Sequence, residues 1–354
     1  MLPAMTTLES LGYAPFFDDQ LSPEERATLR VGRAIEDRGP RLLVRFEDGE
    51  RLVTVPGKLR EVGAVPVVGD FVLAPEGEEP PVSRVLARRT RLSRGVAGRT
   101  SGEQVLAANI DLVFVVNGLD AGVNPRRIER TLAAVYATGA EPVVVLTKLD
   151  LEEDPATALE DAAAAAPAAR VLAVSATTGE GMDDVRALVA PGRTAVFLGP
   201  SGSGKSTLVN ALLGEELQAT AEVRDWDARG RHTTTGRRLV VLPDAGAVID
   251  GPGIRELKLW DAEGLEEAFD DVARLAEGCR FRDCSHEDEP GCAVRAAVEE
   301  GSLHPDRLES LKKLQAEARA AEIRRGGAAA RDEKAKWRAI SKEIKRFYRD
   351  RGRE

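Results

Sequence analysis

At 354 residues the chain has room for two or three domains, and its 43% hydrophobic and 31% charged residues are those of a soluble globular protein. No apolar run reaches the roughly 18 to 20 residues of a membrane helix, and three cysteines, an odd number, argue against a disulfide scaffold. The net charge of −9 disfavours a nucleic-acid partner only until its distribution is read: residues 306–354 carry 16 Lys/Arg against 9 Asp/Glu, and residues 30–94 carry 13 against 10.

Both ends are therefore basic around an acidic centre. Arg88, Arg89, Arg91 and Arg94 gather at the end of the first basic region. Such a distribution fits either solvated helix faces or a bipartite footprint for RNA.

Residues 1–28 read as an N-terminal extension with one short helix, SPEERATLR, capped by Ser22. The start, MLPAMTTLES, has neither the basic opening nor the apolar core of a signal peptide, so a cytoplasmic protein is expected. In residues 29–97 the runs RLLVRF, RLVTVP, GDFVLAP and VSRVLARR alternate like strands, with EDGE and EGEEPP as turns. Four or five short strands predict a small β-barrel, OB-like or of another small type.

From about residue 107 the texture changes. DLVFVV is a continuous apolar run, as in a strand buried on both faces. The next segment predicts a helix with Asn124 as N-cap, Pro125 at its first position and Gly139 at its end. Strands PVVVLT, RVLAVSA and TAVFLG then alternate with helices near 156–166 and 182–190. RRLVVLP and GAVIDGP are two more strands, and LEEAFDDVARLAEG another helix. This alternation predicts a parallel α/β sheet over residues 98–276, with helices on both faces. Residues 277–354 read as a Cys/His knot followed by two helices, 305–324 and 331–351, the second basic throughout.

The most specific motif is GPSGSGKST: Gly199, Pro200, Ser201, Gly202, Ser203, Gly204, Lys205, Ser206 and Thr207. It follows a strand and opens a helix, the context a phosphate loop requires. Its glycines let backbone N–H groups face phosphate oxygens, Lys205 reaches the β- and γ-phosphates, and Ser206 ligates Mg²⁺. Asp250 and Gly253, in DGPG at the end of AVID, suit a D-x-x-G motif. There the Asp holds Mg²⁺ through water and the Gly N–H senses the γ-phosphate. Between them GRHTTTGR offers Thr233, Thr234 or Thr235 as a mobile switch threonine. His232 beside them is a candidate to orient water, because Ile254 stands where a water-positioning Gln would follow the D-x-x-G.

This loop alone also suits a P-loop ATPase, but no LSGGQ-like signature accompanies it. The tetrad Thr147, Lys148, Leu149, Asp150 closes a buried strand and has the [N/T]KxD form that selects guanine. The Asp would accept from the guanine N1–H and exocyclic amine, and the Lys stem would pack on the ring. Ser175 and Ala176, after the next strand, would support the base. The tetrad precedes the phosphate loop, which is a rotated order of the ordinary motifs. Rotation is physically reasonable, because domain termini often lie close together.

Cys279, Cys284, His286 and Cys292 have the spacing C-x4-C-x-H-x5-C and use every cysteine of the chain. Three thiolates and an imidazole satisfy one structural, tetrahedral zinc. His304 has no role in this reading.

Assembled, these motifs resemble the RsgA family, the circularly permuted GTPases of small ribosomal subunit assembly. The resemblance spans barrel, permuted G domain and Cys/Cys/His/Cys module. It implies an OB-fold barrel and GTP hydrolysis to GDP stimulated by the small subunit. It also implies contact with rRNA, a role in late subunit maturation, GTP held by residues 147–150 and 199–207, and zinc on the four ligands. A monomer without membrane contact is expected. The alternatives are a P-loop ATPase and a nucleotide-regulated RNA-binding scaffold in which hydrolysis is incidental.

Overall fold

The computed structural model describes residues 7–61, 63–95, 103–214, 237–251, 264–320 and 323. In its N-terminal part β1 (Arg30–Arg38), β2 (Arg41–Phe46) and β3 (Gly49–Thr54) form an antiparallel meander. β4 (Phe71–Ala74) pairs antiparallel with β1, and β5 (Arg84–Val85) with β4. A parallel bridge from Thr54 to Pro81 brings the end of β3 to the segment leading into β5, so the strands close a ring. Its interior is Ala34, Val44, Val53, Val72 and Val82.

β1 is the longest strand of the ring, yet the sequence pattern passes over it. Gly32 and Arg33 interrupt its apolar alternation. A Cβ at Gly32 would lie 2.5 Å from Val44 Cγ1, so only glycine lets β2 approach. Arg33 is 1% exposed, and its guanidinium donates to the carbonyls of Leu11, Gly69 (3.3 Å) and Asn109 (2.9 Å). Burial lowers it to about 10, which leaves it charged at neutral pH.

Arg33 thereby ties three segments together, including the N-terminal extension. There Ser22 caps the helix Pro23–Thr28 in a capping box with Glu25. Phe17 packs its ring 4.4 Å from that of Phe71 on β4.

VSRVLARR is strand only at Arg84–Val85. Beyond it, β6 (Arg91–Gly95) and β7 (Glu103–Ala108) pair antiparallel as a separate ribbon that the sequence pattern does not announce.

β8 (Leu112–Gly118), β9 (Glu141–Thr147), β10 (Arg170–Ala173), β11 (Thr194–Leu198), β12 (Arg238–Val241) and β13 (Ala247–Asp250) build the α/β part. Their order is β10-β9-β8-β11-β13-β12, parallel except for β12. β12 also meets β1 at Glu36 and Arg238, which joins ring and α/β sheet into one. The helix Pro125–Tyr136 starts as its sequence predicts, with Asn124 Oδ1 accepting from Arg127 N at 3.0 Å. Helices Pro155–Ala165 and Met182–Leu188 complete the crossovers, and Lys205–Leu213 follows β11.

The single helix expected over 265–278 is two, Leu265–Ala268 and Asp270–Ala276, because Phe269 leaves the helical region at φ −119° and ψ 37°. Its buried ring lies under the Arg307 guanidinium at 4.4 Å. Arg307, on a helix over 305–320, donates to Glu129 Oε1 at 2.8 Å and to both Asp271 oxygens at 2.7 Å. The C-terminal module is thus clamped on the helix Pro125–Tyr136.

Candidate nucleotide and metal sites

The parallel register ends β8 and β9 level, with Gly118 opposite Thr147, and places the end of β11 beside them, with Leu198 opposite Val115 and Val196 opposite Ile249 on β13. Residues 147–150, 175–176 and 199–207 and Asp250 therefore emerge along one edge, where open α/β sheets bind ligands.

The loop from Gly199 turns back tightly over β8. A Cβ on Gly199 would sit 2.4 Å from the Val116 carbonyl, at φ +153°. Ser201 and Gly202 are exposed at the tip and Ser203 is buried. Lys205 Nζ donates to the carbonyls of Gly199 (2.8 Å) and Pro200 (2.5 Å), with Ser203 Oγ at 3.5 Å. Its helix, Lys205–Leu213, is seated by Leu208, Val209, Leu212 and Leu213, and Ser206 is half-buried in its first turn. Asp250 ends β13 on the strand next to β11.

Thr147 is 2% exposed and donates from Oγ1 to the Ser203 carbonyl at 2.7 Å. Gly204 packs against it, since a Cβ there would lie 3.2 Å from Thr147 Oγ1 at φ +84°. Lys148 adopts φ +63°, and its Nζ pairs with Asp120 Oδ2 at 2.5 Å. Asp150 Oδ1 accepts from Ser175 Oγ at 2.5 Å, and Ser175 Oγ in turn accepts from Thr178 N at 3.1 Å. Leu149 turns inward onto the core, and its N–H donates to the Val174 carbonyl at 3.1 Å.

These loops enclose a cleft of about 210 Å³ lined by Thr147, Lys148, Asp150, Leu151, Ala176, Thr177, Gly204, Thr207 and Leu208. Leu151, Thr177 and Leu208 are lining residues beyond the expected set. The first two extend the quoted motifs by one residue, which was their only signal. Asp120 and Asn117 sit on a different strand end and carry no sequence signal. His232, Thr233, Thr234, Thr235 and Gly253 lie outside the described residues, as does the expected helix 331–351.

A second cluster lies in the C-terminal module. One ligand atom from each of Cys279, Cys284, His286 and Cys292 falls within 4.8 Å of the others. Cys279 Sγ is 3.7 Å from His286 Nδ1 and 3.9 Å from Cys292 Sγ, and Cys292 Sγ is 3.4 Å from His286 Nδ1. Ideal tetrahedral zinc has edges of roughly 3.8 Å between sulfurs and about 3.5 Å from sulfur to nitrogen, from the usual bond lengths. Those three edges match that geometry, and three thiols with one imidazole are a donor set that zinc takes.

The surrounding loop is ordered by Glu289, whose carboxylate accepts from Ser285 Oγ (2.5 Å), Ser285 N (2.8 Å) and Glu287 N (2.9 Å). These bonds, the Ser285 side chain first, hold its carboxyl down at about 2. His304 is exposed, and its ring accepts from Asp306 N at 3.2 Å at the start of the helix over 305–320.

The basic cluster reads differently once folded. Arg88 pairs with buried Asp70 at 2.8 Å and Arg89 with Asp111 at 3.0 Å. Those two cations neutralise internal carboxylates.

A family model described as RsgA GTPase matches residues 85–260. The "Small ribosomal subunit biogenesis GTPase RsgA" of Methanosarcina acetivorans is 44% identical over 307 residues, 84% of this chain and 82% of that protein. Its namesake from Opitutus terrae is 41% identical over 351 residues, 94% and 96% of the two chains. The crystal structure of YjeQ from Thermotoga maritima is similar at TM-score 0.64 and 26% identity, over 82% of this chain and 98% of that one. YloQ, described as a circularly permuted GTPase, shares the fold at TM-score 0.61 and 23% identity, over 82% and 96%. The chain belongs to the RsgA GTPase family and is a GTP hydrolase.

Proposed function

We propose that this GTPase acts in late maturation of the small ribosomal subunit, hydrolysing GTP to GDP and phosphate with stimulation by the subunit. The observation that carries the nucleotide half is the meeting of Thr147, Lys148, Asp150, Ala176 and the phosphate-loop helix around one cleft. The names of the relatives support the ribosomal half.

In this reading Asp150 accepts from the guanine N1–H and amino group, held in place by Ser175. The Lys148 stem covers the ring and the Ala176 backbone meets the base edge. Thr147 secures the loop to Ser203. The backbone N–H groups of residues 199–207 and Lys205 hold the phosphates, with Lys205 exchanging its carbonyl partners for phosphate oxygens. Ser206 and Asp250 would hold Mg²⁺, which supplies charge neutralisation at the β- and γ-phosphates. Thr233, Thr234 or Thr235 and the Gly253 N–H would sense the γ-phosphate, and His232 would orient the water. Water attacks the γ-phosphorus, the bond to the β-phosphate oxygen breaks, and GDP leaves with that electron pair.

Cys279, Cys284, His286 and Cys292 would hold one zinc, closing the loop structurally. The ring of β1–β5 is assigned to the OB type on its strand order. The chain would divide into an N-terminal extension (1–28), the barrel (29–97), the GTPase domain (98–276) and the zinc-binding, basic C-terminal domain (277–354). The basic residues of 324–354 would contact rRNA through phosphates, and the protein would work as a cytoplasmic monomer.

GTP turnover by the full chain with purified small ribosomal subunits, with large subunits and with neither tests this reading. A rise specific to small subunits is expected. Equal turnover in all three would leave a GTPase without the ribosomal role.

A further inference from the structure

We infer that Asp120 is a positioning residue of the nucleotide site, fixing Lys148 against one wall of the base cleft; this rests on the guanine-reading role proposed for residues 147–150. β8 and β9 end level, with Gly118 opposite Thr147. Beyond β8 the chain makes a single 3-10 turn, Leu119–Ala121, whose base is anchored twice. Leu119 is buried, and buried Asn117 donates from Nδ2 to the carbonyls of Gly118 (3.3 Å) and Gly122 (3.1 Å).

The turn presents the Asp120 carboxylate to Lys148 Nζ at 2.5 Å. Space for the pair depends on a glycine. A Cβ at Gly118 would lie 2.7 Å from Asp120 Oδ1 and 3.7 Å from Lys148 Cε. The same Lys148 lines the cleft between Thr147 and Asp150.

The chemistry is pre-ordering. A lysine side chain free in water samples many rotamers, and binding that stacks a base on its stem must freeze them. Asp120 freezes them beforehand and leaves the ammonium paired, so the aliphatic stem is offered to the ring. The pair is partly exposed, with side chains 28% and 44% accessible, which keeps its effect modest. The segment after β8 thereby becomes a further nucleotide element of the permuted order, placed ahead of the tetrad in sequence and beside it in space.

GDP titrated calorimetrically into the full chain with Mg²⁺ tests this. Asp120→Asn and Asp120→Ala should each weaken GDP roughly threefold to fivefold, the range of a well-oriented surface pair. Asp120→Glu should recover most of the loss. In a Lys148→Ala chain, Asp120→Asn should have no further effect, which a general structural role would not produce. Thermal unfolding of Asp120→Asn should match wild type. If Asp120→Asn binds like wild type while Lys148→Ala is weakened, or if the loss persists in the Lys148→Ala chain, positioning by Asp120 is wrong. If Lys148→Ala itself leaves GDP affinity unchanged, the guanine-reading role of the tetrad fails first, and this inference with it.

Discussion

Thr147 Oγ1 donates a 2.7 Å hydrogen bond to the Ser203 carbonyl, and both residues are buried. The bond joins the loop proposed to read the base to the phosphate loop across 56 residues of sequence. It also gives the tetrad's first position a job that needs a short hydroxyl donor. Threonine, where asparagine is commoner, is therefore a fitting residue at this position.

Thr147→Val keeps the shape and removes the donor. The Ser203 carbonyl then loses this partner while still buried, which costs about 1 to 3 kcal/mol. We expect a lower thermal midpoint and weaker GDP binding for Thr147→Val, with Thr147→Ser close to wild type. Equal behaviour of all three chains in thermal unfolding and GDP titration would show that the bond contributes to neither.

Gly199→Ala should abolish nucleotide binding while leaving the fold. Its Cβ would meet the Val116 carbonyl at 2.4 Å, backbone against backbone, so the loop must shift away from β8. The carbonyl of Gly199 that now accepts from Lys205 would shift with it. GDP titration with far-ultraviolet circular dichroism separates the two effects; retained GDP affinity would show that the tight turn is dispensable.

Arg307→Met should be among the most destabilising single changes. Its side chain and that of Glu129 are 6% and 4% exposed, so removing the cation leaves a buried carboxylate without its charge partner. Breaking such a pair costs about 3 to 5 kcal/mol. Desolvation already pushes the Glu129 carboxyl up against the pull of Ser310 and Arg307. By contrast Arg126→Ala, whose exposed pair with Glu309 spans 3.1 Å, should cost at most about 1 kcal/mol. Denaturant unfolding of both variants checks the contrast.

Metal analysis of the purified chain should find one zinc. Chelation should make the loop around residues 280–291 sensitive to protease before the α/β domain unfolds, because the four ligands close that loop. Cys292→Ser should do the same while leaving the helix Ala293–Glu299 capped, because a serine Oγ can accept from Arg295 N where Cys292 Sγ now does at 3.4 Å. Unchanged proteolysis after chelation would argue that the loop is held by Glu289 alone.

Much of this was legible in the chain because the motifs are contiguous. GPSGSGKST carries its own strand, loop and helix, and a capping box announces the helix Pro23–Thr28. What was not legible depends on residues far apart. β1 hides because Arg33 satisfies its donors on three distant carbonyls. The Arg88 and Arg89 pairing with Asp70 and Asp111 needs the fold before the charges cancel. Asp120 joins the site only because β8 and β9 end at the same level. The break at Phe269 follows from burying its ring beneath Arg307, a contact from a helix downstream in the chain.

Residues 147–150 are proposed to read guanine for a phosphate loop that follows them in sequence. Competitive binding of GDP, ADP and xanthosine diphosphate to wild type and to Asp150→Asn tests it most directly. Wild type should prefer GDP strongly over both. Asp150→Asn should lose about 100-fold or more in GDP affinity, the worth of two hydrogen bonds to a charged acceptor, and gain relative affinity for the xanthine nucleotide. An unchanged order of preference in Asp150→Asn, or a wild type that binds ADP as tightly as GDP, would show that residues 147–150 do not read guanine.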